Sequence, residues 1–315
     1  MKWLFALPLL LPRLAEAHVR YVVSGESFDA WAGRDDLFLL RALSDHSAWI
    51  LLGASLIVFS VIYVLASRSR LVKDEHAHIV DCRHQYEAFF PWMIRLALGI
   101  TLIGAGSSQA LLSPGMETFP FIATIEFLLG FLILVGFLLT PATLATILLF
   151  FFALGMNSYT LGSTEFLALA LSLLIFADPR PGLDHLLELP FLSPFKHLRR
   201  FVPLILRLGI GVSMIFLAIY EKFLNPHASA LVVEQFSLTR FIPITPEAWV
   251  LWVGMVELAI GILLVLGIKT RLVSLIAFIV LSLSFFFFGE QVYAHITLFT
   301  VLSILFVTGN GSQTR

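Results

Sequence analysis

Long apolar stretches separated by short polar segments run through most of the chain. Nine of them follow one another from residue 47 to residue 309. They are Ser47–Ala66, Phe89–Leu112, Pro120–Leu139, Pro141–Tyr159, Leu161–Ala177, Phe201–Leu224, Ala248–Ile268, Leu272–Gly289 and Val292–Gly309. Each approaches the roughly 17–25 residues that a helix needs to cross a bilayer. Because lipid leaves no partner for unpaired backbone groups, the pattern predicts an all-α polytopic membrane protein with nine spans.

The composition agrees with a membrane environment. Hydrophobic residues make up 59% of the 315 residues and charged residues 13%, against roughly 45–50% and about 25% in soluble domains. The mean hydropathy is +0.94. These values exclude a water-soluble globular enzyme and a disordered chain, so the lipid bilayer is the expected partner. A net charge of −1 gives no indication of a nucleic-acid partner, and a single cysteine, Cys82, excludes intramolecular disulfides.

The first residues have the three parts of a secretory signal peptide. Lys2 supplies the positive start, residues 3–12 form a short apolar core, and Ala15-Glu16-Ala17 is an Ala-x-Ala cleavage signal. The apolar run is too short to span a bilayer. We therefore predict that residues 1–17 are a signal peptide and that His18 becomes the mature N-terminus; the alternative is an uncleaved start.

The remaining polar segments divide the chain into regions. Apolar and charged side chains alternate within residues 18–46, which predicts an amphipathic helix on the outer membrane surface. Residues 47–66 form a lone transmembrane helix, followed by an inner loop over residues 67–88. A linker with four prolines, residues 178–200, separates two halves, and residues 310–315 form a tail.

The distribution of basic residues gives the orientation. With His18 outside, eleven lysines and arginines lie in inner segments and five in outer ones. This inner excess agrees with the direction that the signal peptide sets. The sequence thus predicts a multi-pass protein of the cell membrane with its mature N-terminus outside and its C-terminus inside.

The two halves share a sequence pattern. Arg95 and Gly99 recur 112 residues later as Arg207 and Gly211. The pairs that recur at an offset of 131 are Ala123/Gly254, Glu126/Glu257, Gly130/Gly261 and Gly136/Gly267, and Glu165 aligns with His295 at 130. Residues 89–177 and 201–309 are therefore predicted to be two four-helix repeats. Since each has an even number of spans, the repeats are parallel.

The second half carries a recognisable set of motifs. They are Arg207-Leu208, Glu221-Lys222, Asn225-Pro226, Glu257 and Gly267-Ile268-Lys269-Thr270-Arg271. With them the chain resembles the DoxX-like membrane proteins, of which residues 89–177 look like a degenerate copy. That family includes the DoxD-type small subunit of thiosulfate:quinone oxidoreductase and membrane components of redox-stress complexes. The resemblance implies a membrane subunit of a redox system, with quinone as a candidate cofactor and redox enzymes as candidate partner subunits.

An acidic residue inside an apolar span is a functional candidate, because a charge at the bilayer centre costs at least about 2.5–3.5 kcal/mol. Glu257 lies near the middle of its span, and Gly254 and Gly261 share its helical face. That small face lets a neighbouring helix approach the carboxylate. Glu257 is either a proton carrier or quinone partner, or a structural carboxyl that locks the bundle. Glu126 repeats this arrangement in the first half.

The candidate catalytic residues all lie in the second half. We expect Glu221, Lys222, Glu257 and His295 to surround one outward-facing polar pocket, with the second repeat as the active unit and the first as scaffold. Lys222 starts near the outer interface, whereas His295 starts a few residues inside its span. His295 is therefore predicted to lie closer to Glu257 than Lys222 does. Lys222 is predicted to pair with Glu221, Glu290 or the outer loop.

The other candidate groups have simpler explanations. Arg95 and Arg207 are expected to extend towards inner-leaflet headgroups. The inner loop holds several metal-ligand types over residues 74–84, but their spacing matches no standard zinc pattern and equally suits a solvated linker. A mature His18 could chelate copper through its amino group and imidazole. Neither alternative is assigned a metal.

The sequence shows no redox centre of its own, so electrons would need quinone or a partner as carrier. It does not decide whether the chain is itself an enzyme. The favoured function is an integral membrane subunit of a redox system that interacts with quinone. The alternatives are a non-catalytic membrane scaffold that recruits redox enzymes, and a small-solute or ion permease.

Overall fold

A computed structural model describes residues 35, 37–68, 83–113, 116, 118–176, 178, 180–189 and 195–309. The predicted signal peptide, most of the inner loop and the tail lie outside these residues, as do Cys82 and His18. Over the described residues the chain is helical and has no strand. The all-α fold predicted from the sequence is therefore confirmed.

Thirteen α-helices follow one another in the described part. They are α1 Phe38–Leu43, α2 His46–Arg68, α3 Arg83–Glu87, α4 Phe90–Ser107, α5 Pro120–Val135, α6 Leu139–Met156, α7 Thr164–Phe176, α8 Leu183–Leu186, α9 Val202–Leu217, α10 Pro226–Gln235, α11 Pro246–Leu266, α12 Thr270–Phe288 and α13 Val292–Thr308. Short 3-10 segments cover Ser158–Ser163, Lys196–Phe201 and Leu238–Arg240, and a π-helical segment covers Ala218–Leu224.

All nine predicted spans correspond to apolar helices. Seven helical segments in the described part are long and apolar enough to cross a membrane, and α5 and α13 are shorter apolar helices of 16 and 17 residues. Two helices end earlier than the sequence predicts, and each ends before a glycine. Helix α5 ends at Val135 and α11 at Leu266, because Gly136 and Gly267 follow with φ of 70° and 71°. Glycine reaches that left-handed conformation without steric cost and so terminates helices.

Within each half the first two long helices touch through glycine. In the first half, a Cβ built on Gly130 would lie 2.8 Å from the backbone oxygen of Gly99. In the second half, a Cβ built on Gly211 would lie 2.9 Å from the backbone oxygen of Gly261. Any larger residue would separate the backbones, so these contacts hold α4 against α5 and α9 against α11.

The two halves are joined by their first and last long helices. Helix α4 packs on α13, where the Thr101 hydroxyl donates to the Tyr293 carbonyl at 2.9 Å. Helix α9 packs on α7, where the Ser213 hydroxyl donates to the Gly162 carbonyl. Thr164 adds a hydrogen bond from its hydroxyl to the Gly209 carbonyl at 2.7 Å. The largest buried apolar cluster lies along these helices.

The N-terminal part of the described chain packs on α11. Trp252 donates its indole N–H to the Ser55 hydroxyl of α2 at 2.7 Å. Phe38 and Ala42 of α1 are buried in a cluster with α11 residues. The described part of residues 18–46 thus contains a short helix that packs on the protein, and its predicted place on the outer membrane surface stays a prediction. Residues 18–34 of that segment lie outside the described residues.

Arg95 does not extend towards the headgroups as the sequence suggested. Its side chain is buried, and it donates to the carbonyls of Ile133 and Leu134 at 3.1 and 3.0 Å and to the carbonyl of Pro181. The guanidinium thus satisfies the free carbonyls at the end of α5. It also fixes the linker to the first half.

The linker also caps the N-terminal end of α6. Asp184 is buried, and its carboxylate accepts hydrogen bonds from the backbone N–H groups of Leu138 and Leu139, both at 2.7 Å. The Asp184 N–H donates to the Gly136 carbonyl at 2.9 Å. A carboxylate at this position satisfies two of the unpaired amides that begin α6.

Candidate functional site

The Glu221-Lys222 pair lies on a π-helical turn. The turn covers Ala218–Leu224 and continues α9. It stops at Asn225, whose backbone and side-chain N–H groups both donate to the Tyr220 carbonyl, at 3.0 and 2.9 Å. Single π-turns in α-helices are frequent at functional sites. The sequence marks the place with two adjacent charges in an apolar run followed by Asn-Pro, but it does not indicate the π-turn.

Both oxygens of the buried Glu221 carboxylate are engaged. Tyr159 donates its hydroxyl to Oε1 at 2.6 Å, and Lys222 donates its ammonium to Oε2 at 3.1 Å. The predicted pairing of Lys222 with Glu221 is thus confirmed. Tyr159 belongs to the first half and nothing in the sequence pointed to it.

Glu257 occupies the middle of α11, where it is partly buried. The small residues on its helical face have the predicted role. A Cβ built on Gly254 would lie 2.7 Å from the Lys222 Cβ, so this glycine lets the lysine side chain cross α11. Gly261 contacts Gly211 one turn further along. Glu257 therefore lies between two points at which neighbouring backbones come close.

The cation that interacts with Glu257 is Lys222. The Glu257 carboxylate interacts electrostatically with Lys222, Glu221 and Glu290. The imidazole of His295 instead forms a hydrogen bond with Glu290, with Nε2 2.6 Å from Oε2. The expectation that His295 approaches Glu257 more closely than Lys222 is therefore not supported.

The reason lies in the chain path before α13. His295 is in the first turn of this helix, and Glu290 precedes the helix by two residues. The ring folds back onto Glu290 and packs edge-on against Phe285, with ring centroids 5.9 Å apart. Glu290 also accepts a hydrogen bond from the Ser284 hydroxyl at 3.1 Å. Glu290 thus contacts His295 and also interacts electrostatically with Lys222 and Glu257.

A carboxylate of the first half completes the set. Glu165 is buried at the start of α7, where its Oε1 accepts from the Thr297 hydroxyl at 3.2 Å. Its Oε2 is buried without a hydrogen-bond partner among the described residues. Glu165 also interacts electrostatically with His295. The first half thus contributes Tyr159 and Glu165 to contacts with the second half, and its role as scaffold stays a prediction.

These side chains form one group, the carboxylate cluster. Its members are Glu165, Glu221, Lys222, Glu257, Glu290 and His295. It contains four carboxylates, one lysine and one histidine. Even a doubly protonated His295 leaves more carboxylates than cations. The cluster therefore has more acidic groups than its two basic groups can neutralise, and buried negative charges close together are strongly unfavourable. Carboxyl groups are side chains that can bind and release protons.

Glu126, the first-half counterpart of Glu257, has a different environment. Its Oε1 accepts a hydrogen bond from the Leu112 N–H at 2.8 Å, which supports a backbone turn at φ 60°. Its Oε2 is buried without a partner, and no described cation forms an ion pair with it. These contacts indicate that Glu126 supports the fold.

Metal binding is not indicated within the described part of the chain, where no group of three or more histidine, cysteine, aspartate or glutamate side chains could hold an ion. The two metal alternatives, residues 74–84 and His18, lie largely outside the described residues.

Comparison with known families supports the resemblance predicted from the sequence. Residues 202–290 match the family model DoxX. The match runs from α9 to the end of α12 and includes Glu221, Lys222, Glu257 and Glu290. No curated protein and no solved structure matches the chain. The structure and the match together identify a multi-pass membrane protein with a DoxX-type segment.

Proposed function

We propose that this protein is an integral membrane subunit of a redox system and that its carboxylate cluster exchanges protons with a bound quinone. The observation that carries the proposal is the imbalance of four carboxylates against Lys222 and His295. A purely structural network would be expected to balance its charges, because each unpaired buried charge lowers stability. A network that retains protons suits a reaction in which protons accompany electrons.

The donor set suits a quinone headgroup. Quinone carbonyls accept hydrogen bonds, and Lys222 and His295 are strong donors at the centre of the cluster. Phe216 and Tyr220 stack beside Glu221, with centroids 5.2 Å apart, and offer an aromatic wall. When bound, a quinone would supply the electron-accepting chemistry that the chain lacks.

The protein side chains have separate roles in this proposal. Lys222 and His295 would bind and orient the carbonyl oxygens of a quinone. Glu257 and Glu290 exchange protons with the quinone in this proposal, since both interact with Lys222, which would hold its carbonyl oxygens. Tyr159 keeps Glu221 in place through its hydroxyl.

We further infer that the two halves are structural repeats. The paired contacts support this: Gly99 with Gly130 corresponds to Gly211 with Gly261. Thr101 and Ser213, 112 residues apart, both donate to a carbonyl near the start of the other half's last helix. A parallel repeat related by an axis along the membrane normal accounts for these pairs.

The proposed orientation follows the distribution of basic residues. With the signal peptide removed after residue 17, the mature N-terminus is outside and the C-terminus inside. Lys222, Glu290 and His295 lie at the ends of α9, α12 and α13 that this orientation places outside. The carboxylate cluster then opens towards the outer side of the cell membrane.

Bound quinone tests the proposal. The protein is purified in mild detergent, and lipids are extracted and analysed for quinone. We expect about one quinone per protein in the wild type and at least about tenfold less in Lys222→Gln, because one charge-assisted hydrogen bond contributes about 1.5–3 kcal/mol. The matched control is Lys196→Gln, an exposed lysine outside the cluster.

Other outcomes would favour the alternatives. Quinone at the same level in both variants would contradict binding at the cluster. Co-purification of soluble redox enzymes without quinone would support a membrane scaffold. Uptake of a small solute or ion by proteoliposomes without quinone would support a permease.

A further inference from the structure

The inner ends of the two halves differ in charge. In the first half, Arg95 lies against Gly136 and donates three hydrogen bonds to carbonyls. Asp184 of the linker lies next to it and interacts with it electrostatically. The positive charge of Arg95 is therefore balanced by the Asp184 carboxylate of the same chain.

Arg207 has the corresponding place in the second half. Its guanidinium lies against Gly267, just as Arg95 lies against Gly136. However, its buried Nε has no hydrogen-bond partner, and no described residue forms an ion pair with it. An arginine is always charged and its buried N–H groups normally find an acceptor, so an Nε buried without one among the described residues is unusual.

Two more cations follow directly. Lys269 is exposed, and Arg271 donates to the Val307 carbonyl at 3.0 Å. The first half has Leu138 and Thr140 at the corresponding positions. The sequence contains no aspartate or glutamate after Glu290, whereas the first half is followed by Asp178 and Asp184. The second half thus concentrates positive charge where the first half has its own carboxylates.

The surface beside these cations is apolar. Leu266 and Ile268 are 63% and 47% exposed at the end of α11. The Lys269 ammonium lies 5.4 Å from the ring of Tyr63 on α2. In a membrane such exposed leucine and isoleucine side chains contact lipid chains. The headgroup of such a lipid would lie beside Lys269.

We propose that Arg207, Lys269 and Arg271 form a binding site for the phosphate of an anionic phospholipid. The guanidinium of Arg207 supplies planar paired donors, and Lys269 supplies a point charge at the exposed edge. The bound phosphate would have the role that the Asp184 carboxylate has in the first half. It would provide an acceptor for Arg207, which has none among the described residues.

Native mass spectrometry of the full-length protein in detergent tests this site. The protein is titrated with phosphatidylglycerol, with phosphatidylcholine as the uncharged-headgroup comparison. We expect one phosphatidylglycerol to bind more tightly than phosphatidylcholine, and its affinity to fall about tenfold in Lys269→Gln, the loss expected for one charge-assisted contact. Lys196→Gln, which removes an exposed lysine elsewhere on the inner surface, should leave the affinity unchanged.

A separate titration with inorganic phosphate distinguishes the sources. If inorganic phosphate at millimolar concentration displaces bound phosphatidylglycerol, with an affinity similar to that of the lipid, the site takes free phosphate. The lipid assignment is then wrong. Equal affinity for the two lipids, or equal loss in the two lysine variants, would overturn the site altogether. Lys269 is exposed, so its substitution is not expected to impair folding, and Arg207→Lys provides a second variant that retains the charge but not the paired donors.

Discussion

Among individual residues, the positions of charges within apolar spans predicted which side chains are candidates for chemistry but not which of them meet. Glu257 and the Glu221-Lys222 pair were identified because charges are rare within apolar spans. The partner of Glu257 was predicted from depth along the helices, and this gave His295. The π-turn at Ala218–Leu224 and Gly254 bring Lys222 to α11 instead. Tyr159 could not be predicted, since its contact with Glu221 depends on packing between the halves.

The crossing of Lys222 over α11 can be tested with a single methyl group. A Cβ at position 254 would lie 2.7 Å from the Lys222 Cβ and from the Phe223 ring, so Gly254→Ala is expected to lower the free energy of unfolding by about 1–3 kcal/mol. Gly53→Ala in α2 is the control, because nothing lies within 4 Å of its added Cβ. Unfolding in a detergent titration measures both. Equal stability of the two variants would show that Lys222 does not pass over Gly254.

At the level of whole elements, hydropathy predicted the position of every long helix in the described part. Helix ends were less predictable, because they depend on single residues such as Gly136 and on caps contributed from far away. Asp184 caps α6 from 45 residues downstream in the sequence. No local pattern in the linker indicates this contact.

The role of the linker gives a second prediction. Asp184→Ala removes the acceptor of the Leu138 and Leu139 N–H groups and is expected to cost about 1–3 kcal/mol of unfolding free energy. Asp178→Ala is the matched control. Its ion pair is with the exposed Arg180, so its loss should cost less than about 1 kcal/mol. If both variants unfolded at the same detergent concentration as the wild type, the linker would not stabilise the fold and would only connect the two halves.

For the whole molecule, composition and charge predicted a multi-pass helical membrane protein, which the structure and the DoxX match support. The orientation in the membrane cannot be read from the contacts between helices, because a helical bundle without its membrane has no inner or outer side. It therefore rests on the distribution of basic residues.

The single cysteine makes this orientation measurable. Cys82 lies outside the described residues, in a segment that the charge distribution places inside the cell. A membrane-impermeant maleimide is expected to label Cys82 only after cells are permeabilised. Rapid labelling of intact cells would reverse the orientation and place the carboxylate cluster on the inner side.

The central claim, that the carboxylate cluster exchanges protons with quinone, is tested most directly by redox-induced infrared difference spectroscopy. Purified protein with added quinone is poised at oxidising and then reducing potentials, and the carboxyl C=O band is compared. We expect the band to change with the quinone in the wild type and in Glu126→Gln, and to change much less in Glu257→Gln, where Glu290 remains, since glutamine keeps the size of glutamate but carries no titratable proton. A wild-type spectrum without any carboxyl change, or an identical response in both variants, would contradict the account.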